Sequence, residues 1–190
     1  CIGCISDTHP QPIIVHSKLG KYAIANIGII TNAEELFNGL LQMDYASFET
    51  LSSGTINSNA LISVLIAHMD NFVDGIRYAQ RKIEGTMSLA LLVEDGIILA
   101  RDRLGRLPII IGKREDGYCF SLEQFAFQKL GYETYKELKA GEIVKITADG
   151  CETLAEGYDE MSMCSFMWTY YGYPTAVYES VTVEAMRTRN

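Results

Sequence analysis

Apolar and polar positions fall into blocks whose period changes along the chain. Residues 12–16 and 21–30 are runs of Ile, Val, Ala and Tyr bounded by Pro12 and Gly20. Both predict strands, the second buried on both faces. Thr31-Asn32-Ala33-Glu34 then has the form of a capping box, in which a hydroxyl and a carboxylate three residues on satisfy each other's exposed backbone donors. It predicts a helix through Glu35, Leu36, Leu40 and Leu41. Ser52-Ser53-Gly54 reads as a loop. A second helix is predicted from about Ser58 to His68, with Leu61, Val64 and Leu65 on one face. A third spans about Val73 to Glu84, with Ile76, Ala79, Gln80 and Ile83 at helical spacing.

Past Gly85 the period shortens. Met87–Val93, Ile97–Arg101, Ile109–Gly112 and Tyr118–Ser121 are short apolar segments. Glu94-Asp95-Gly96 and Asp116-Gly117 separate two of the joins, and Asp-Gly is the strongest short hairpin signal. A short helix is predicted near Glu123–Lys129. Ile143–Thr147, the turn Asp149-Gly150 and Glu152–Leu154 predict one more hairpin. Successive hairpins build antiparallel sheets, so the order of strands, helices and strands predicts an α+β fold with helices layered on antiparallel sheets. No repeat, linker or low-complexity stretch interrupts it. Residues 161–173 are dense in aromatics (Phe166, Trp168, Tyr170, Tyr171, Tyr173), which predicts docking against this domain or a neighbour.

Composition narrows the function. The 190 residues are 48% hydrophobic with a net charge of −8, which suits one domain with a sizeable core. An acidic chain without a basic cluster repels a phosphate backbone, so nucleic acid is not an expected partner. No apolar run is long enough for a membrane span and no leader opens the chain, so no membrane partner is expected. The five cysteines, at 1, 4, 119, 151 and 164, are odd in number and irregularly spaced. That predicts reduced thiols and a cytoplasmic location. Cys1-Ile2-Gly3-Cys4 lacks the second pair of a zinc site, and His9, His16 and His68 lack metal-ligand spacing. In Arg101-Asp102-Arg103-Leu104-Gly105-Arg106-Leu107-Pro108, Asp102 is expected to pair locally with its arginines, while Gly105 supplies a positive φ and Pro108 stiffens the next strand's entry.

That last segment resembles the RDPxGxRPL stretch of class II glutamine amidotransferases. Lys139-Ala140-Gly141-Glu142-Ile143 resembles their xPGE strand entry, and Gly85-Thr86-Met87-Ser88-Leu89 their GxYS strand. Cys164 to Tyr171 with Pro174 resembles the stretch that closes the glutaminase domain in one branch of the family, the amidophosphoribosyltransferases. The resemblance covers nearly the whole chain. It implies an N-terminal-nucleophile hydrolase fold, an αββα sandwich of antiparallel sheets, here incomplete at its N-terminus. It also implies a division into a glutaminase-type domain at 1–160 and an aromatic-rich connector at 161–190, leading to a phosphoribosyltransferase domain of the same parent chain. No cofactor is expected in this chain; magnesium with phosphoribosyl pyrophosphate would belong to the parent's other domain. A homo-oligomer is a further expected association.

The family's catalytic positions carry over unevenly. Members use an N-terminal Cys as nucleophile with its own α-amine as base. Ile2-Gly3-Cys4-Ile5-Ser6-Asp7 resembles an internal segment, IGHxRYST, so on this register Cys1 is not that nucleophile. Ser6 stands where the family has the arginine that clamps the glutamine α-carboxylate, and a serine cannot replace a bidentate cation. Ala25-Asn26-Ile27-Gly28-Ile29-Ile30-Thr31-Asn32 matches AHNGNLTN. Ile27 therefore replaces the Asn of the oxyanion hole, while Gly28 survives. Asn57 replaces the Asp that holds the α-ammonium, Met167 a Glu and Tyr173 an Arg. Cys164 lies near a cysteine that ligates an iron–sulfur cluster in some relatives, whose other ligands would lie in the following domain. Three readings follow. One is a degenerate glutaminase-type domain with a structural or regulatory role in a protein of purine biosynthesis. The others are a non-catalytic module sensing another small ligand, and an active glutaminase using Cys1.

Overall fold

A computed structural model describes residues 1–6, 10–41 and 56–189. His9 and the Ser52-Ser53-Gly54 loop lie outside the described residues. Strands β1 (Ile13–Ser17) and β2 (Gly20–Ile27) lead into helices α1 (Ala33–Leu41), α2 (Ser58–Ala67) and α3 (Phe72–Lys82). Then come β3 (Ser88–Val93), β4 (Gly96–Ala100), β5 (Ile110–Arg114), β6 (Gly117–Ser121), α4 (Phe125–Leu130), β7 (Glu133–Glu137), β8 (Ile143–Ile146) and β9 (Cys151–Ala155). A π-helical turn, Met167–Tyr171, precedes the small hairpin β10 (Val177–Tyr178) and β11 (Val181–Thr182) and the helix α5 (Val183–Thr188).

The hairpin signals place the strands. Val93 pairs with Gly96 and Arg114 with Gly117, each across an Asp-Gly-type turn. The strands form a six-stranded sheet ordered β1-β2-β3-β4-β8-β9 and a three-stranded sheet ordered β6-β5-β7. Every pairing in them is antiparallel. One core lies between the helices and the large sheet, where Leu61, Ile62, Leu65, Ile66 and Ile76 meet Tyr22, Ile24, Leu89, Leu91 and Ile98. A second lies between the sheets, where Ala90, Leu99, Val144 and Ile146 meet Ile109, Ile111 and Leu138. Side chains alternate along a strand, so Gly112 faces away from Ile111, and its missing side chain leaves room for the ring of Phe127 in α4. Helix, sheet, sheet and helix thus stack in four layers.

The capping box at Thr31 does not form. The Thr31 amide and hydroxyl both donate to the Glu84 carbonyl, at 2.8 and 3.0 Å. Asn32 starts the helix instead, its carbonyl accepting the Leu36 N–H. Its side chain bridges the Lys82 carbonyl and the Glu84 amide. A tertiary clamp between the end of α3 and the start of α1 has taken the hydroxyl that the local pattern assigned to the helix.

Asp102 also departs from its expected local pairing. Its carboxylate accepts the backbone N–H groups of Leu104 and Arg106 and folds the loop. Arg101 is fully buried and donates to Glu137, the Leu138 carbonyl and the Gly105 carbonyl. Gly105 has the expected positive φ, +66°.

Residues 161–189 dock on this loop through Ser162 N–H to Leu104 O and Cys164 N–H to Arg106 O. They have their own cluster of Met167, Trp168, Ala176, Tyr178 and Val183. Arg187 closes it by donating to the carbonyls of Trp168 and Gly172.

Candidate functional site

β2 ends at Ile27, opposite Ser88 of β3. Ala25 pairs with Ala90, which lies in the core between the sheets. By alternation Ile27 shares that face, and Asn26 turns toward α2. Ile27 is 38% exposed. It is an apolar group at the open end of the inter-sheet layer, with no polar atom on its side chain to present there.

Gly28 follows with φ +153° and passes against the strand-like segment 84–88. A Cβ at this position would sit 2.2 Å from the Thr86 carbonyl oxygen. Thr86 cannot give way, because its N–H donates to Ile29 O at 2.9 Å and its hydroxyl accepts from Ile29 N at 2.8 Å. The glycine is therefore demanded by close backbone packing, whatever chemistry occurs beside it.

Asn57 is buried at the start of α2, and its side-chain oxygen accepts the N–H groups of Asn59 and Ala60 at 2.9 and 3.3 Å. It is an N-cap. At the position where the resemblance implies a neutral substitute for an α-ammonium partner, the oxygen that would face the ammonium is engaged by the helix. Ser6 and Cys1 are both exposed. The thiol of Cys4 is raised by burial, the opposite of an activated nucleophile. The cysteines are all free thiols.

A cluster that sequence reasoning passed over ties the end of β2 to the start of α2. The Gln11 side-chain oxygen accepts from Asn26 N–H at 3.0 Å and from the Asn59 amide at 3.1 Å. Asn26 and Asn59 are buried. The signal was the string of carboxamides at 11, 26, 57 and 59, each unremarkable by itself and adjacent only through the fold. The four groups are neutral. Nothing in this cluster supplies the formal charge that grips a zwitterionic amino acid.

Elsewhere, His16 is exposed on β1 and His68 stacks on Tyr78 with centroids 5.0 Å apart. Cys164 is packed against the C-terminal cluster. Among the described residues no group of three or more His, Cys, Asp or Glu could hold a metal ion, and no helix is long and apolar enough to cross a membrane.

Four layers around two antiparallel sheets are the arrangement of the N-terminal-nucleophile hydrolase fold. A model of the glutamine amidotransferase domain matches residues 2–129, and the chain belongs to that family. Within the family it is similar to amidophosphoribosyltransferases. It is 28% identical over 179 residues to that of Archaeoglobus fulgidus, covering 94% of this chain and 39% of the relative. It is 30% identical over 203 residues to that of Haemophilus influenzae, covering 97% and 39%. The chain thus spans about two fifths of the length of the curated relatives it matches. The glutamine phosphoribosylpyrophosphate amidotransferase of B. subtilis, solved with ADP and GMP, superimposes with a TM-score of 0.79 at 24% identity, over 93% of this chain and 38% of that one. A structure described as the allosteric regulatory enzyme of purine biosynthesis gives 0.78 at 25% identity, over 93% and 38%.

Proposed function

We propose that this is the glutaminase-type domain of an amidophosphoribosyltransferase-like protein, and that it has lost glutamine hydrolysis while keeping a structural role. The observation that carries this reading is Ile27. A tetrahedral intermediate develops negative charge on oxygen, and loss of one donor there typically costs ~10²–10³ in rate. An isoleucine side chain offers no donor, which would leave the Gly28 N–H alone at that position. Asn57, spent on capping α2, and Ser6, uncharged, would leave both ends of a glutamine zwitterion without a counter-charge.

In the parent, free ammonia or ammonia from another subunit would displace pyrophosphate from phosphoribosyl pyrophosphate. The present domain would brace its phosphoribosyltransferase neighbour. The exposed aromatics Phe166, Tyr170, Tyr171 and Tyr173 on the 161–190 connector suit that contact, since partly exposed aromatic clusters favour interfaces. The test is to supply the full-length protein with phosphoribosyl pyrophosphate and magnesium, and either ammonium chloride or glutamine. Pyrophosphate release with ammonium and none above background with glutamine is expected. Equal release with glutamine would overturn the proposal.

A further inference from the structure

We propose that the cleft between the C-terminal end of α3 and the 101–106 loop binds a free α-amino acid with a medium-sized apolar side chain. The cleft encloses about 280 Å³, below the roughly 300–1,000 Å³ of sites for drug-sized molecules. Four charged residues line it, Arg81, Arg103, Glu84 and Asp102, the first three with exposed side chains, and Ile83, Met87 and Leu104 form its apolar part. None of the three exposed charged side chains forms a hydrogen bond or ion pair with another described residue. Asp102, the remaining charge on the wall, is committed to the N–H groups of Leu104 and Arg106.

Two free cations and one free anion around a small apolar pocket select a particular chemistry. Inorganic phosphate would be repelled by Glu84, and a simple cation by the arginines. A zwitterion satisfies all three. Its carboxylate meets the guanidinium forks of Arg103 and Arg81, the geometry arginine serves best. Its ammonium meets Glu84 at the C-terminal end of α3, where the helix dipole favours positive charge. Ile83, Met87 and Leu104 would then cover the side chain.

The backbone of both walls is tied down, while the Arg81, Glu84 and Arg103 side chains are exposed. Glu84 is held by its N–H to Asn32 Oδ1 at 2.9 Å and its carbonyl to Thr31 N at 2.8 Å, and Leu104 by Asp102. A fixed backbone removes part of the cost of binding, and ordering the three side chains remains to be met by the ligand. Ser6, Ile27, Gly28 and Asn57 do not line the cleft, so the inference stands apart from whether glutamine is hydrolysed.

Titration calorimetry of the full-length protein with L-leucine, N-acetyl-L-leucine, L-leucinamide and sodium phosphate tests it. Leucine is expected to saturate, and the acetylated and amidated forms to bind at least about tenfold more weakly, since each lacks one charge. Arg103→Gln and Arg81→Gln should each weaken leucine about tenfold. Glu84→Gln should do the same while narrowing the preference for leucine over N-acetyl-leucine. These side chains are at the surface, so unchanged thermal midpoints will show that the variants fold. No saturable heat from leucine or methionine up to about 10 mM, glutamine bound in preference to leucine, an affinity untouched by Arg103→Gln, or phosphate bound in preference to leucine would each overturn the proposal.

Discussion

Replacing Gly28 by alanine separates a packing role from a catalytic one. The added Cβ would stand 2.2 Å from the Thr86 carbonyl oxygen and 2.6 Å from its carbon. Both atoms belong to the backbone of Thr86, which Ile29 holds through one hydrogen bond to its N–H and one to its hydroxyl, so relief requires 28–31 and 84–87 to separate. Overpacking of this kind costs about 1–3 kcal/mol. The backbone at φ +153° adds strain of order 1–3 kcal/mol for a residue with a side chain. A loss of about 2–6 kcal/mol is expected. At roughly 2–4 °C per kcal/mol for a chain of this size, the thermal midpoint should fall by at least about 4 °C. Gly150→Ala, where nothing lies within 4 Å, serves as control and should stay within about 0.5 kcal/mol. The assay is urea and thermal unfolding followed by circular dichroism. A Gly28→Ala midpoint within about 1 °C of the parent would refute the argument. Gly28 would then no longer be explained by packing, and its presence beside Ile27 would again need a catalytic reason.

Three further outcomes follow from the cap, the buried arginine and the buried tyrosine. Asn57→Ala removes the cap of α2 and should cost about 1–2 kcal/mol by urea unfolding; no loss would mean that the cap is not made. Arg101→Met strands Glu137 and two carbonyls beside a fully buried site; it should cost about 3–5 kcal/mol, and a change under about 1 kcal/mol would contradict the network. Burial pushes the Tyr22 hydroxyl up to about 12, so the folded chain keeps a proton that the unfolded chain sheds above pH ~10. Stability should therefore fall between pH 10 and 12, Tyr22's share being at most about 1.4 kcal/mol per pH unit. Tyr22→Phe should lose that share, and identical pH profiles for the two proteins would exclude it.

The elements read most directly from sequence are those whose signal is local. Asp95-Gly96 and Asp116-Gly117 mark the tight turns of β3–β4 and β5–β6, and the apolar runs between them become adjacent strands. β7 escaped because Glu133–Glu137 is charged and mostly exposed, with no apolar alternation to see; it is a strand because β5 offers it a partner. Thr31 misled for the complementary reason: a good local cap was outcompeted by the Glu84 carbonyl, more than fifty residues away in sequence. The fate of Arg101 was equally non-local, since its partners Glu137 and Leu138 come from the other sheet. At the site, the chemistry of Ile27 was visible from residue type alone. The capping role of Asn57 and the link through Gln11 needed the helix start and the strand end to be brought together.

The account rests on the proposal that Ile27 leaves the oxyanion position without its side-chain donor. The most direct measurement is release of labelled glutamate from labelled glutamine by the full-length protein, followed by mass spectrometry. The account predicts none above the uncatalysed background, with phosphoribosyl pyrophosphate present or absent. Sustained glutamate release that scales with protein concentration would contradict it.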